Sequence, residues 1–382
     1  MSSIARHLYK IRTGNQMIAE GAMRAGCRFF AGYPITPASG IYKGMIELLQ
    51  QRGDVAVSAP DEISALAYCV GASMRGFKAM TATSGPGWAL MIETLQYALM
   101  TETPVVIAMV QRLGPSTGGA TQGAQGDILL TEFCTSGGYT IPVLCPATPK
   151  DSYELTMLAF SWADILRSPV VVLSDKEVGM TSERVDYGAL HEPPVVNRIH
   201  PDGNGNSFNG ERRMYGFEYR CDVPGFISVG GETKVTVTGS AHNKSGELKK
   251  NDAETLEVLN HLEEKITSRR AALSLVELDC EDSAETLVIS FGITARTMQE
   301  AVRNARRNGK KVSSLKVMSL FPVPEEKILA AAEGVSRIVI AEENLHGQYR
   351  SVINYLFTNK KVIGVNKIGA MITPSEIEYA IS

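Results

Sequence analysis

Between residues 14 and 180 the chain alternates short apolar runs with longer stretches of helical periodicity, and few architectures accept that rhythm. The pattern predicts helices over 15–24, 38–51, 61–76, 87–100 and 150–166. Between them it predicts strands over 27–32, 55–59, 78–83, 104–111, 140–144 and 169–174. Strand and helix in regular succession make a parallel sheet with helices on both faces. Ligands of such sheets bind where the strands end, so the loops after the apolar runs are the first place to look for chemistry.

A second α/β rhythm follows later: helix 252–270, strand 286–291, helix 294–308, strand 311–316, helix 324–333, strand 337–342 and helix 348–357. The stretch from about 185 to 250 has neither period. It carries Pro193-Pro194, Asp202-Gly-Asn-Gly-Asn206, Gly210, Gly225 and Gly230-Gly231, with an isolated Lys234-Val-Thr-Val-Thr-Gly239. Such a long irregular connection is expected to cover a site or a subunit contact, with plain surface loop as the alternative. The expected division is 1–190, 191–250 and 251–382.

The 382 residues suffice for two domains of ordinary size. A net charge of −3 gives no reason to expect nucleic acid or an anionic membrane as partner. No apolar run approaches a membrane span, and the start Met-Ser-Ser-Ile-Ala-Arg-His lacks the features of a secretory signal, so a cytoplasmic location is expected. The six cysteines lie at least eleven residues apart, so no local spacing suits a zinc knuckle or an iron–sulfur cluster. Cys27 and Cys69 sit among apolar neighbours and read as small core residues.

Four segments stand out in the first half. In Tyr33-Pro-Ile-Thr-Pro37, two prolines stiffen the backbone around Thr36, so its hydroxyl can donate to a ligand oxygen at little entropic cost; a plain structural turn is the alternative. Glu62 opens a helix whose later face is small: Ala65, Ala67, Cys69, Gly71 and Ala72. It is either a first-turn carboxylate favoured by the helix dipole or a group aimed at a heterocyclic nitrogen. Thr83-Ser-Gly-Pro-Gly87 is either a tight strand-to-helix turn or an anion cradle. Arg112 ends a buried strand and begins Gly114-Pro-Ser-Thr-Gly118, a setting suited to bidentate recognition of a carboxylate.

Taken together, Glu62-Ile-Ser-Ala-Leu-Ala-Tyr-Cys-Val-Gly71 and the three loops resemble the pyrimidine-side domain of thiamine diphosphate enzymes. More narrowly, the chain resembles the alpha subunit of 2-oxoacid:ferredoxin oxidoreductases over most of its length, and the Ser-Thr loop with Thr121 looks most like the 2-oxoglutarate type. The resemblance implies a doubly wound parallel sheet of the pyrimidine type, followed by an α/β domain like the transketolase C-terminal domain. It implies that Glu62 bonds the aminopyrimidine ring, that Thr36, Arg112 and Thr121 hold the 2-oxoacid, and that Pro34, Ile35, Ser84 and Gly85 touch the cofactor. The implied reaction is the reversible, coenzyme A-dependent oxidative decarboxylation of 2-oxoglutarate to succinyl-CoA and CO₂ with reduction of ferredoxin.

The Gly-Asp-Gly…Asn segment that normally binds the diphosphate and Mg²⁺ is missing. Only Gly53-Asp-Val and Gly126-Asp-Ile occur, and neither continues correctly. The resemblance therefore implies a beta subunit carrying Mg²⁺, the diphosphate contacts and a [4Fe-4S] cluster, in a dimer of heterodimers with room for further small subunits. Pro60-Asp61 before Glu62 and Gly40 after Ser39 depart from the acidic residues common in relatives. His346, in Glu342-Glu-Asn-Leu-His-Gly-Gln348, reads as a capping or packing histidine more readily than as a proton carrier. The alternatives are a branched-chain or broad-specificity 2-oxoacid oxidoreductase subunit, a non-catalytic scaffold of the same fold, and a self-sufficient transketolase-like enzyme; the last lacks its metal segment.

Overall fold

The computed structural model describes residues 8–200, 207–208 and 211–382; the expected turn at 202–206, Gly210 and the first seven residues lie outside them. A seven-stranded sheet runs in the order Ser319–Phe321, Val143–Leu144, Pro169–Asp175, Val105–Gln111, Ala79–Thr83, Phe29–Gly32, Val55–Ser58. Every pairing is parallel except the edge made by Ser319–Phe321. Successive side chains of one strand point to opposite faces. Accordingly, Val105, Ile107 and Met109 enter one apolar cluster while Val106, Ala108 and Val110 enter the other.

The helices Gly14–Arg24, Ser39–Arg52 and Pro149–Leu166 cover one face, burying Met17, Met45 and Phe160. Glu62–Met74 and Gly85–Met100 cover the other through Leu66, Trp88 and Leu95. That second cluster continues without a break into Leu287, Phe291, Leu320 and Tyr349. Leu287 and Phe291 belong to a five-stranded sheet ordered Val276–Asp279, Val312–Val317, Thr286–Phe291, Arg337–Glu342, Lys361–Asn366, parallel but for its first strand, on which the helix carrying Tyr349 packs. The two α/β units thus share a core.

The elements foreseen from periodicity are present, with shifted ends. The strand expected at 140–144 shrinks to Val143–Leu144, because Pro142 has no N–H to offer a ladder and only its carbonyl joins, accepting from Val171 N at 2.9 Å. The helix expected at 348–357 tightens after Ile353 into a 3₁₀ turn, Asn354–Phe357. Lys234–Gly239 forms no strand. The short strands Tyr9–Arg12 and Glu183–Asp186, paired antiparallel in a two-stranded sheet of their own, escape a periodicity search because between them they bury only Val185.

Among the described residues, the irregular stretch does not reach the cavity at the ends of the strands. Its described parts lie against the opposite end of the sheet. Arg198 donates to Ser73 O at 2.9 Å and to Phe77 O at 3.2 Å, and pairs with Asp164 at 2.8 Å. Arg167 Nη1 donates to the carbonyls of Met214 (3.0 Å), Pro224 (3.3 Å) and Gly225 (3.1 Å). The helix Ala253–Thr267 is pinned nearby by Lys265 and His261, which reach the buried Glu102 at 2.7 and 3.1 Å. Burial opposes ionisation of Glu102, yet Lys265, His261 and Arg167 hold it well below the usual carboxylate range. Among the described residues no helix is long and apolar enough to cross a membrane.

Candidate active site

Chain direction locates the crevice. After Phe29–Gly32 the chain moves outward to Val55–Ser58, and after Ala79–Thr83 it moves the other way to Val105–Gln111. These two strands are neighbours, so the loops leaving them diverge and open a gap between them, the usual ligand position of such sheets.

Glu62 stands on one flank of that gap. Asp61 caps its helix, accepting from Ser64 N at 2.7 Å, which places Glu62 in the first turn. The glutamate is 7% exposed, and no hydrogen bond or ion pair engages its carboxylate among the described residues. A Cβ on Gly87 would stand 2.5 Å from Glu62 Cγ and 2.8 Å from its Oε1, and would also strike Thr83 Oγ1. Only glycine therefore lets the Thr83–Gly87 turn close onto the glutamate. Inside this turn the Ser84 hydroxyl is fully buried without a partner.

Arg112 occupies the other flank, 7% exposed, at the end of the central strand. Its Nη1 donates to Thr36 O at 2.6 Å, so the structure brings together two residues that sequence reading assigns to one substrate. The contact uses the Thr36 backbone, leaving its hydroxyl free of Arg112. Asn15 Nδ2 donates to Pro37 O at 2.8 Å and fixes the same turn from beneath. Pro34 is exposed and Ile35 half-buried.

Arg112 lines a cavity of about 490 Å³ whose walls come from both units: Gly85 and Pro86, the Leu113–Ser116 loop, Asp127, and Asn344 to His346. Glu62 is not among its lining residues. Thr121 is exposed on the far arm of the loop, which is closed by Leu113 N donating to Gln122 O at 2.9 Å. His346 is exposed on the cavity wall instead of packed. Asn344, not His346, caps the turn, accepting from Gly347 N at 2.8 Å and Gln348 N at 3.1 Å.

Asp175, which sequence reading passes over, and Asp127, weighed there only as part of a metal segment, complete the region. Asp175 ends the strand beside Arg112's and is held by Gln111 Nε2 (3.0 Å), Gln125 Nε2 (2.9 Å) and Ile293 N (2.6 Å). Burial pushes it up to about 8, with Glu343 and Glu177 adding to the push. Asp127, on the cavity wall, is pushed up to about 6 by burial, against the pull of Arg112. By contrast Asp54, the other Gly-Asp residue, merely pairs with Arg28 at 2.8 Å and Arg52 at 3.3 Å.

Residues 20–257 match the family described as pyruvate flavodoxin/ferredoxin oxidoreductase, thiamine diphosphate-binding, and residues 284–377 match core domain II of pyruvate:ferredoxin oxidoreductase. The 2-oxoglutarate synthase subunit KorA of Methanocaldococcus jannaschii is 35% identical over 96% of this chain and 98% of its own. Its namesake from Methanothermobacter marburgensis is 38% identical over 95% and 96%. A ketoisovalerate oxidoreductase subunit VorB from Methanothermobacter thermautotrophicus is 32% identical over 93% and 92%. Among solved structures, the 2-oxoglutarate:ferredoxin oxidoreductase of Magnetococcus marinus superposes with a TM-score of 0.88 at 29% identity, covering 98% of this chain and 65% of that one. A split-gene transketolase shares the fold at a TM-score of 0.55 and 12% identity. A match along residues 20–257, and relatives above 30% identity across nearly the full length, place the chain in the pyruvate flavodoxin/ferredoxin oxidoreductase family.

Proposed function

We propose that the chain is the alpha subunit of a 2-oxoglutarate:ferredoxin oxidoreductase that holds half of a thiamine diphosphate site. The observation that carries this is the nearly buried Glu62, packed against Gly87 with its carboxylate unengaged among the described residues, across the turn from a cavity containing Arg112. The residues fit the cofactor: an available carboxylate suits a ring nitrogen, and the unpartnered Ser84 hydroxyl leaves a polar group for the ligand to satisfy. Bound thiamine diphosphate supplies the electron sink for loss of CO₂ from a 2-oxoacid.

The chain's own residues do the rest. Glu62 holds a proton-bearing ring nitrogen by a charge-assisted hydrogen bond. Arg112, with one nitrogen spent on Thr36 O, keeps its remaining donors for the substrate carboxylate. The Thr36 hydroxyl and Thr121 orient the acid, converting lost freedom of motion into a productive approach. Pro34, Ile35, Ser84 and Gly85 contact the cofactor. Along the chain, 1–190 would form the pyrimidine-side unit, 191–250 a connecting brace and 251–382 the transketolase-like unit.

Because neither Gly53-Asp-Val nor Gly126-Asp-Ile continues as the Gly-Asp-Gly…Asn segment, the reading assigns Mg²⁺, the diphosphate contacts and an iron–sulfur cluster to a beta subunit, with ferredoxin and coenzyme A as further partners in a cytoplasmic dimer of heterodimers. The test is a panel of 2-oxoacids with the complex reconstituted from both subunits, coenzyme A and a viologen acceptor. Preferential use of 2-oxoglutarate is expected, and preferential use of 2-oxoisovalerate would make this a branched-chain enzyme. Glu62→Gln should cost at least ~100-fold in kcat while the complex still assembles; full activity would remove Glu62 from the chemistry.

A further inference from the structure

Gly126-Asp127 has no role as a metal segment, because Ile128 follows it, yet the fold devotes several contacts to its placement. The Asp127 N–H donates to Gln111 Oε1 at 3.1 Å. Gln348, from the second unit, grips both neighbours: Leu129 N donates to its Oε1 at 3.0 Å, and its Nε2 donates to Gly126 O at 2.8 Å. The side chain is thereby set at the start of helix Gly85–Met100, its Oδ1 2.9 Å from where a Cβ on Gly85 would be. Glycine at 85 is what lets the carboxyl approach.

No hydrogen bond or ion pair engages that carboxyl among the described residues. Asp127 Oδ2 is shut off from solvent without a partner, so the group meets the cavity through Oδ1. Arg112 lines the same cavity and its Nε is also buried without a partner. The two opposite charges share a wall, but no ion pair joins them among the described residues. His346, exposed across the cavity, is the remaining titratable lining residue; Asn344 and Gln348 are neutral.

A partnerless buried oxygen costs less as the carbonyl of a neutral acid than as half of a carboxylate. The proton then sits on Oδ1, facing the cavity. What fits between a guanidinium and a carboxylic acid O–H is a carboxylate, one oxygen on each. We infer that Asp127 is a second 2-oxoacid-binding residue, taking up a proton as the substrate's carboxylate docks on Arg112 and donating it as a hydrogen bond to that carboxylate. The inference rests on the substrate reading of Arg112 given above.

The sign of the pH dependence follows. Asp127 is an acid already pushed up to about 6 by burial, with Arg112 pulling the other way, and an arriving anion raises it further. Binding then consumes a proton at neutral pH, and KM for the 2-oxoacid climbs as pH rises above about 6, by up to roughly tenfold per unit until the bound-state value is passed.

The test uses the reconstituted complex with 2-oxoglutarate between pH 6 and 8.5. Wild-type KM should rise with pH, Asp127→Asn should flatten that rise because its amide donates at every pH, and Asp127→Ala should raise KM about tenfold at pH 6.5. Calorimetry with glutarate, in buffers of different ionisation enthalpy, should show proton uptake by wild type and none by the Asn variant. The inference is overturned if wild-type KM is flat with pH, if the Asn variant keeps the wild-type slope, or if it behaves like the Ala variant throughout. A wild-type complex that turns over no 2-oxoacid defeats the function proposed above instead, whereas a working enzyme with an unlinked Asp127 defeats only this inference.

Discussion

Asp175 and Asp127 are both carboxyls near the ends of the central strands, both pushed upward by burial, and the fold treats them oppositely. Asp175 accepts from two glutamine amides and one backbone N–H. One of those amides, from Gln125, belongs to a residue whose Oε1 accepts from Thr294 Oγ1 and Glu343 N, each at 3.0 Å, so the network ties the two units together. Asp127 is equally well positioned through its backbone, and its side chain has no partner among the described residues. Saturation marks a joint, and a placed but idle polar group marks a site. The same distinction separates Asn344, spent on capping, from His346 two residues later, exposed on the cavity wall.

The largest effect expected from this contrast is on stability. Asp175→Ala strands Gln111 Nε2 and Ile293 N and leaves Gln125 Nε2 only Phe291 O, and it should cost about 4 kcal/mol in urea unfolding of the chain near pH 5.5, at ~1–3 kcal/mol per unsatisfied group. Asp127→Ala removes a group with no partner and should stay within about 1 kcal/mol of wild type. Equal losses would erase the distinction. Asp175 also sets a slope. Its folded value, raised to about 8 by burial, lies above its unfolded value of about 4. Its stabilising contribution is therefore complete below about pH 4 and lost as pH rises through about 8. The gap between wild type and Asp175→Ala should shrink from pH 5 to pH 8, and a widening gap would mean that the ionised form holds the joint.

The same contrast explains what could be read in the sequence. Glu62 and its turn were legible because the signals are local: Asp61 as cap, a small-residue helix face, and glycines within a five-residue loop. Arg112 was legible as the first charge after a seven-residue buried strand. Asp127 was not, because its position depends on Gln111 and on Gln348, more than two hundred residues away. Its one local hint is a Gly-Asp between a polar loop and the apolar Ile128-Leu-Leu. The brace from 185 to 250 was opaque for a different reason. Arg167 and Arg198 grip it and its neighbours largely through backbone carbonyls, which every residue type presents alike.

Arg112 lies between the two extremes, since one nitrogen is spent on Thr36 O while Nε is idle. Arg112→Ala should raise KM for the 2-oxoacid about 30-fold, near 2 kcal/mol, in steady-state assays of the complex. Arg112→Lys should recover part of the charge without the planar fork and remain well short of wild type. A fall in kcat at unchanged KM would instead assign Arg112 to bracing the Thr36 turn.

Thr121 should show the smallest effect and is the sharpest check on the cavity's boundary. It is exposed on the outer arm of a loop that Leu113 and Gly119 pin together, with Gly119 N donating to Leu113 O at 2.9 Å. A hydroxyl there contributes one neutral hydrogen bond to a ligand, so Thr121→Val, which keeps the branched shape, should raise KM about threefold, near 0.7 kcal/mol. A rise beyond ~30-fold would exceed what one such bond supplies. It would mean that the Arg112–Thr121 loop folds down over the acid when it binds, bringing Thr121 into the group that Arg112 and Asp127 form, and turning an open cavity into one that closes.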